Sequence, residues 1–215
     1  LHGLPLVSWS ILFARATKKF GRILVSTDSF EIASISESFG AEIPFIRSPL
    51  LASDTSTTSD VLLDLIDRCN LDSSDHLILL EPTSPYRTQE DFEKLISLLE
   101  VNHAQKVMSV SEAISSSYAF QYFLGSEGEP PLIPVLNGDK YSTPRRQDIS
   151  TSFFLDGTFY ASRVDAFVDD PTFLGSSTSP LPVNQLSSFE IDSLLDLQLY
   201  RAIFAFFGPP PWYSS

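Results

Sequence analysis

The sequence predicts an α/β domain in which a mainly parallel sheet is flanked by helices. Compact apolar runs of strand length alternate with segments whose apolar residues recur at helical spacing. A strand–helix–strand order makes successive strands parallel, because the helix returns the chain to the same end of the sheet. The 215 residues, 43% of them hydrophobic, are enough to bury one substantial core.

The first half of the chain follows this alternation without a break. Helices are predicted over 5–14, 28–39, 58–68 and 88–99, and strands over 22–27, 42–46, 76–80 and 106–110. Gly40 follows the second helix at the position where a left-handed residue commonly ends one. The run at 76–80 is apolar throughout, as in strands covered on both faces. Because α/β domains ordinarily open with a buried strand, a strand and its loop are expected ahead of the first helix.

The pattern changes after residue 111. Residues 115–152 are rich in Pro, Gly, Ser and aromatics without helical spacing, which predicts a β-rich arm inserted into a single domain spanning 1–215. The arm carries too many aromatic side chains for full exposure to solvent. The α/β pattern resumes with a strand at 157–162, and a last helix is predicted from Ser193 to Phe207.

Composition argues against several classes of protein. The formal charge of −13, from 14 Lys and Arg against 27 Asp and Glu, disfavours a nucleic-acid partner. No apolar run approaches the ~18 to 20 residues of a membrane span. Cys69 is the only cysteine, so no intramolecular disulfide forms and a reducing cytoplasm is the simplest location. Any phosphate ligand must be held locally, by a few arginines, backbone N–H groups and a metal.

Glu190 and Asp192, directly before the last helix, are the predicted metal ligands. The run 187–192 predicts a short strand, in which residues two apart point to the same face. Two carboxylates are sufficient for Mg²⁺ when phosphate oxygens complete its coordination. The alternative is that Asp192 caps the helix and both charges only stabilise its N-terminus.

Three further motifs lie near predicted strand ends or on the arm. Open α/β sheets bind ligands beyond the carboxyl ends of their strands. The turn at 25–29 offers hydroxyls and helix N-terminal N–H groups to an anion or sugar, or simply caps its helix. The turn at 80–87 contains two prolines, which suits a rigid ligand-positioning loop. On the arm, Arg145 and Arg146 suit a phosphate or carboxylate clamp, the alternative being ion pairs with the acidic surface.

In order and spacing these motifs resemble the acylneuraminate cytidylyltransferases, also known as CMP-sialic acid synthetases. The resemblance runs nearly end to end, and the set is specific although each motif is weak alone. The matching motifs are Pro5-Leu6-Val7, Val25-Ser26-Thr27-Asp28, Gly40-Ala41-Glu42-Ile43-Pro44-Phe45-Ile46-Arg47, Ala52-Ser53-Asp54-Thr55, Glu81-Pro82-Thr83-Ser84-Pro85-Tyr86-Arg87, Arg145-Arg146-Gln147-Asp148, Gly157-Thr158-Phe159-Tyr160 and Glu190-Ile191-Asp192.

The resemblance implies a Rossmann-like nucleotide-diphospho-sugar transferase fold with a β-rich dimerisation arm. It also implies transfer of CMP from CTP to the anomeric hydroxyl of a nonulosonic acid, with Mg²⁺ and release of pyrophosphate, by a homodimer. Glu190 and Asp192 would hold the Mg²⁺ and, with Arg146, form the catalytic group. The implied substrate contacts are Arg47, Thr57 and Thr58 for the nucleotide, Glu81, Thr83 and Tyr160 for the sugar, and Arg145 and Gln147 on the arm.

The sequence also departs from this family. It contains no Arg-Gly-Gly-Ser-Lys-like loop, which cradles the CTP triphosphate in the family, so residues 1–215 alone are predicted not to turn over CTP. Glu81 stands where many members have Gln, and Phe154 and Asp156 stand near an Arg and an Asn of other members. These changes favour legionaminate, pseudaminate or another nonulosonic acid over N-acetylneuraminate. Two alternatives are a 3-deoxy-manno-octulosonate cytidylyltransferase and a non-catalytic sugar-acid-binding or dimerisation module of the same fold.

Overall fold

The computed structural model describes residues 1–53, 55–113, 117–126, 131–135 and 145–213. For Arg146 it describes the backbone alone. The α-helices are α1 (Leu6–Thr17), α2 (Phe30–Ser38), α3 (Thr58–Arg68), α4 (Gln89–Glu100), α5 (Val164–Asp169) and α6 (Leu194–Phe207). The strands are β1 (His76–Leu79), β2 (Lys106–Glu112), β3 (Tyr122–Leu124), β4 (Leu132–Pro134), β5 (Phe153–Arg163) and β6 (Ser179–Pro182). Short 3₁₀ turns lie at Pro49–Ala52, Tyr118–Phe120 and Arg146–Asp148.

The helix boundaries follow side-chain caps. Thr57 precedes α3 and forms a reciprocal capping box, in which its hydroxyl accepts from the Asp60 N–H and the Asp60 carboxylate accepts from the Thr57 N–H. The Ser29 hydroxyl caps α2 by accepting from the Ile32 N–H, so the cap is Ser29 rather than Asp28. Gly40 follows α2 with φ of 94°, which confirms its predicted role.

The main sheet has four strands in the order β1-β5-β2-β6. β5 runs antiparallel to both of its neighbours, whereas β6 is parallel to β2. The predicted α/β class with flanking helices is confirmed; β1, β2 and β6 share one direction and only β5 opposes them, so the sheet is mixed. β1 and β2 are joined through α4 and share one direction, as a helical crossover requires. β5 follows the arm instead, so no helix returns the chain to the end at which β1 and β2 begin.

The two strands predicted at 22–27 and 42–46 are present only as paired extended segments. They run parallel through two isolated bridges, Leu24 with Glu42 and Thr27 with Ile46. The Val25 N–H donates to the Glu42 carbonyl at 3.0 Å, and the Glu42 N–H donates to the Ile23 carbonyl at 2.8 Å. Their parallel direction agrees with a strand–helix–strand unit around α2.

Three apolar clusters cover the sheet and join the terminal helices. One packs α1 and α4 on one face of the sheet and includes Phe13, Phe92, Leu95, Val107 and Phe159. The second lies on the other face, beneath α3 and α5, and includes Leu62, Ile66, Met108, Phe167 and Phe173. The third packs α1 against α6 through Trp9, Tyr86, Ile191, Tyr200 and Phe204. β1 contributes to the first two clusters, which confirms that both of its faces are covered.

The described part of the arm forms a β-hairpin. β3 and β4 pair antiparallel, with Tyr122 opposite Pro134 and Leu124 opposite Leu132. This confirms β structure at Tyr122–Leu124 and Leu132–Pro134, while 115, 116, 127–130 and 136–144 of the predicted arm lie outside the described residues. The hairpin leaves Phe123 and Leu124 exposed. In the part of the chain that is described, no helix has the length and apolar character needed to cross a membrane.

Candidate active site

Glu190 and Asp192 lie on an irregular extended segment that leads into α6. The strand predicted over 187–192 is wrong, because the segment makes too few backbone hydrogen bonds with a neighbouring strand. The Ile191 N–H donates to the Thr83 carbonyl at 2.9 Å, and the Ile191 side chain is buried. This bond ties the segment to the loop at 81–87, hereafter the proline loop.

The capping alternative for Asp192 is wrong. α6 is capped by Ser193, whose hydroxyl accepts from the Asp196 N–H, while the Asp196 carboxylate accepts from the Ser193 N–H at 2.7 Å. The carboxylate of Asp192 is exposed and makes no hydrogen bond or ion pair with any described residue. Its oxygens are therefore available to a ligand.

Glu190 is held against the backbone of β5. The Gly157 N–H donates to the Glu190 carboxylate. A Cβ at position 157 would overlap Glu190 Oε1 and lie 2.7 Å from Ser84 Oγ, so any other residue would displace the Glu190 carboxylate. Burial raises the pKa of Glu190 above its ordinary value, and the charges of Asp192 and Asp156 raise it further.

Glu81 adds a third carboxylate near Glu190 and Asp192. Its half-buried side chain has a raised pKa, caused first by burial and then by the charge of Glu190, with a smaller effect of Asp192. Glu81, Glu190 and Asp192, called the acidic site from here on, therefore lie near enough for their charges to interact, although they do not surround one point as three metal ligands would. Repulsion among neighbouring carboxylates favours either protonation or a bound cation.

Arg87 anchors the proline loop from beneath and is fully buried. Its Nε donates to the Thr158 carbonyl at 2.8 Å, Nη1 to Ser10 Oγ at 3.0 Å and Nη2 to the Glu81 carbonyl at 2.8 Å. Burial lowers the pKa of Arg87 to about 10, so the guanidinium stays charged at neutral pH. Sequence reasoning identified Arg87 only as the cation nearest the loop and gave it no site role, because spacing alone does not show that it points inward.

The residues predicted for the sugar pocket lie together. Thr83 is in the proline loop, and Tyr160 is on β5 next to the acidic site. Burial raises the pKa of Tyr160 to about 12, with added effects from the charges of Glu81 and Glu190. Asp156 is fully buried and accepts from Ser109 Oγ, Ser111 Oγ and the Thr158 N–H, which makes it a structural anchor of β5.

The residues predicted for the nucleotide line one cavity of about 760 Å³. Arg47, Thr57 and Thr58 contribute to its wall, as does Glu81. Arg47 pairs with Asp28 at 3.4 Å, and its Nε is buried without a hydrogen-bond partner among the described residues. An unpaired buried donor is costly, so the Nε–H of Arg47 is well suited to donate a hydrogen bond to a ligand oxygen.

The arm residues are not joined to this site within the single chain. Arg145 is exposed and pairs with Asp148 at 2.8 Å, as the surface ion-pair alternative expects. Gln147 is exposed as well. The side chain of Arg146 lies outside the described residues, so the roles predicted for Arg145, Arg146 and Gln147 stay predictions.

The donor chemistry of the acidic site fits Mg²⁺. Glu190 and Asp192 supply hard carboxylate oxygens, and the Asp192 oxygens have no other partner among the described residues. In the described ranges no group of three or more metal-ligating side chains is arranged around one point. These residues therefore suit a Mg²⁺ ion that is coordinated by the two carboxylates, with phosphate oxygens and water as its other ligands.

Comparison with known proteins places the chain in a family. The cytidylyltransferase family model matches residues 1–120. A CMP-N,N'-diacetyllegionaminic acid synthase of Legionella pneumophila is 31% identical over 205 residues, covering 93% of this chain and 84% of that protein. A pseudaminic acid cytidylyltransferase of Campylobacter jejuni is 23% identical over 208 residues, covering 94% and 86%.

A solved structure shares the fold. It is a CMP:2-keto-3-deoxy-manno-octonic acid synthetase complexed with CTP, with a TM-score of 0.62 and 15% identity, covering 93% of this chain and 88% of that one. The fold agrees with the Rossmann-like nucleotide-diphospho-sugar transferase class expected from the sequence. Together, the family match over more than half of the chain and the similarity to the Legionella synthase show that this protein belongs to the cytidylyltransferase family, a family of nucleotidyltransferases.

Proposed function

We propose that this protein transfers CMP from CTP to a nonulosonic acid and releases pyrophosphate. The observation that carries the proposal is the acidic site formed by Glu81, Glu190 and Asp192, of which Glu81 also lines the cavity. Arg47 lines the same cavity and has an unpaired donor among the described residues. The named relatives, which act on legionaminic and pseudaminic acids, support this substrate class.

The reaction fits in-line substitution at the α-phosphorus. The anomeric oxygen forms the new bond to phosphorus, and pyrophosphate leaves with the electrons of the broken P–O bond. Mg²⁺, held by Glu190 and Asp192, would neutralise charge on the phosphate oxygens. The chain's own residues mainly position the reactants, since Gly157 fixes Glu190 and Arg87 fixes the proline loop. The nucleotide contacts proposed for Arg47, Thr57 and Thr58 face the same cavity.

Glu81 is the proposed determinant of the sugar. Its carboxylate lies with two others, so a sugar carboxylate would be repelled from this part of the site. Hydroxyl or amide N–H groups of the sugar would instead donate to it. Thr83 and Tyr160 would complete the pocket. Every nonulosonic acid carries a carboxylate, so the choice among them rests on these donors: a diacetylated legionaminic- or pseudaminic-type acid offers one amide N–H more than N-acetylneuraminate and is favoured.

A homodimer is proposed from the surface of the arm and the adjoining strand. Their exposed apolar side chains include Tyr118, Phe120, Phe123, Leu124, Leu132, Val135, Phe153 and Phe154. Contiguous apolar patches of this kind commonly mark protein–protein contacts. In such a dimer, Arg145, Arg146 and Gln147 would reach the partner's substrates.

Pyrophosphate release from CTP tests the proposal. The protein would be assayed with Mg²⁺ and with legionaminate, pseudaminate, N-acetylneuraminate or 3-deoxy-manno-octulosonate, both as residues 1–215 and with the triphosphate loop of a relative added ahead of Leu1. We expect turnover with a nonulosonic acid when that loop is present, and little or none by residues 1–215 alone. Asp192→Asn should abolish turnover, whereas Glu93→Gln on the exposed face of α4 should not.

The same assay separates the alternatives. A preference for 3-deoxy-manno-octulosonate would support that cytidylyltransferase instead. A folded dimer that carries the added loop and binds a sugar acid without turning over any substrate would support the non-catalytic module.

A further inference from the structure

The extended segment at 187–192, hereafter the carboxylate segment, is held by two side-chain hydroxyls as well as by its backbone bond to the proline loop. The Tyr200 hydroxyl donates to the Phe189 carbonyl at 2.5 Å. The Thr158 hydroxyl donates to the Ser187 carbonyl at 2.9 Å. The segment belongs to none of the strands of the main sheet, so no ladder of backbone hydrogen bonds fixes its main chain. Its position therefore depends on these two side chains.

Tyr200 joins the carboxylate segment to the proline loop. The residue lies on α6 and is 1% exposed, and its oxygen also accepts from the Tyr86 N–H of the proline loop. Burial raises the pKa of Tyr200 above its ordinary value of 10, so the hydroxyl keeps the proton that it donates. The ring packs edge-on against Phe204, with ring centroids 6.0 Å apart. The packing of α6 thus sets where this hydroxyl lies.

Thr158 joins the carboxylate segment to β5. Its side chain is fully buried, and its backbone is held on both sides. The N–H donates to Asp156 Oδ1 at 3.0 Å, and the carbonyl accepts from Arg87 Nε at 2.8 Å. The residue before it, Gly157, binds the Glu190 carboxylate. Two adjacent residues of β5 therefore hold the main chain and a side chain of the same segment.

We propose that Tyr200 and Thr158 are positioning residues whose hydroxyls fix the carboxylate segment. The fixed segment brings Glu190 to the Gly157 N–H and keeps Asp192 near Glu190. Removal of either hydroxyl leaves a main-chain carbonyl of the segment without its donor, so the chain shifts toward another partner for that carbonyl. The consequence for Mg²⁺ binding rests on the proposed function, whereas the placement of the segment does not.

Amide hydrogen exchange without divalent cations tests the placement. The reporters are the Gly157 amide, which binds Glu190, and the Ile191 amide, which binds the proline loop. Tyr200→Phe and Thr158→Val should each speed exchange of both reporters at least about tenfold relative to the amides of β2, a central strand that reports global unfolding. Equal acceleration at the reporters and β2, or none, would mean that the hydroxyls do not position the segment, and would overturn the proposal.

Matched variants remove a hydroxyl from the same elements without touching the carboxylate segment. Tyr213→Phe changes a tyrosine that packs on the same apolar cluster and whose hydroxyl bonds no described residue. Ser162→Ala removes a buried hydroxyl farther along β5, which donates to the Arg163 carbonyl. Neither should change the reporters relative to β2, and Thr158→Ser, which keeps the hydroxyl, should exchange as slowly as the wild type. Acceleration in these controls equal to that in Tyr200→Phe would overturn the assignment to the two hydroxyls.

Calorimetric titration with Mg²⁺ tests the consequence for the metal site. Tyr200→Phe and Thr158→Val should weaken Mg²⁺ binding about 10- to 100-fold, the usual effect of removing a group that orients metal ligands, and Thr158→Ser should bind as the wild type does. Unchanged affinity in the first two variants, where Asp192→Asn does lose affinity, would overturn the positioning role and leave the metal site intact. If Asp192→Asn also binds Mg²⁺ as the wild type does, the proposed metal site is wrong instead, and the reporter amides alone decide the placement.

Discussion

Gly157 and Glu190 fit each other: the N–H of Gly157 donates to the Glu190 carboxylate, and Glu190 Oε1 occupies the space that a Cβ at position 157 would fill. The glycine on β5 thereby sets the position of a proposed metal ligand that lies on an irregular segment. A ligand so placed depends on the strand for its geometry, although the two residues are far apart in sequence.

Gly157→Ala should displace Glu190 and lower kcat about 100-fold, the scale of loss expected when a reacting group moves by about 1 Å. The matched control is Gly21→Ala, because a Cβ there meets no atom within 4 Å. Steady-state pyrophosphate release, with the triphosphate loop of a relative added ahead of Leu1, measures both variants. Wild-type kcat in Gly157→Ala would show that the position of Glu190 does not matter for catalysis.

Asp192→Asn and Ser193→Ala should separate metal binding from helix capping. Asp192→Asn should weaken Mg²⁺ binding, measured by calorimetry, by at least about tenfold because one of two carboxylate ligands is lost. Its stability should change little, since Ser193 and Asp196 make the cap. Ser193→Ala should cost about 1 kcal/mol in urea unfolding and leave Mg²⁺ affinity intact. The reverse pattern would restore the capping role of Asp192.

Arg87→Met should destabilise the protein by about 2 to 5 kcal/mol, because it leaves the Glu81 and Thr158 carbonyls without their buried donor. The control is Lys94→Met, which removes an exposed ion pair with Glu90 worth about 0.5 kcal/mol or less. Urea denaturation measures both. A similar small loss in the two variants would mean that Arg87 does not anchor the proline loop.

The acidic site should make stability depend on pH in a definite direction. Glu81 and Glu190 have raised pKa values in the folded protein, so the folded state holds more protons than the unfolded state between the ordinary value of 4.5 and the folded pKa. Metal-free stability should therefore fall as pH rises through that window. Asp60 and Asp196, whose pKa values are lowered, contribute stability that is lost only as pH falls below about their ordinary 3.8.

The measurement is urea unfolding of the wild type and of Glu190→Gln without divalent cations, from about pH 5 to about pH 7. The difference in stability between them should grow in favour of Glu190→Gln as pH rises. Saturating Mg²⁺ should stabilise the wild type most at the upper end of this range, where both carboxylates are ionised. A pH-independent difference would contradict the raised pKa of Glu190.

Glu81→Gln should change the choice of sugar. Removing the charge weakens the acceptor for the second amide N–H of a diacetylated sugar, so kcat/KM should rise for N-acetylneuraminate relative to a diacetylated legionaminate or pseudaminate. A change of about tenfold in that ratio corresponds to about 1.4 kcal/mol. The competition is measured with both sugars in one reaction. An unchanged ratio would remove Glu81 from the pocket.

Local patterns predicted the helices well and the sheet poorly. The bounds of α3 followed from its apolar spacing, and the end of α2 followed from Gly40. These signals lie within one or two turns of the residues that they control. The direction of β5 and the position of β6 depend on pairing with residues far away in sequence, which no local pattern encodes.

The sequence by itself determined the α/β class, the helix boundaries and the identity of the acidic residues, because spacing, capping and motif order are short-range properties. Only the tertiary structure decided that Ser193 rather than Asp192 caps α6, that Arg87 points into the core beneath the proline loop, and that Arg47, Thr57 and Thr58 line one cavity. Each of these depends on which distant backbone groups meet, and a buried polar group takes whichever partner the packed chain brings within hydrogen-bonding distance.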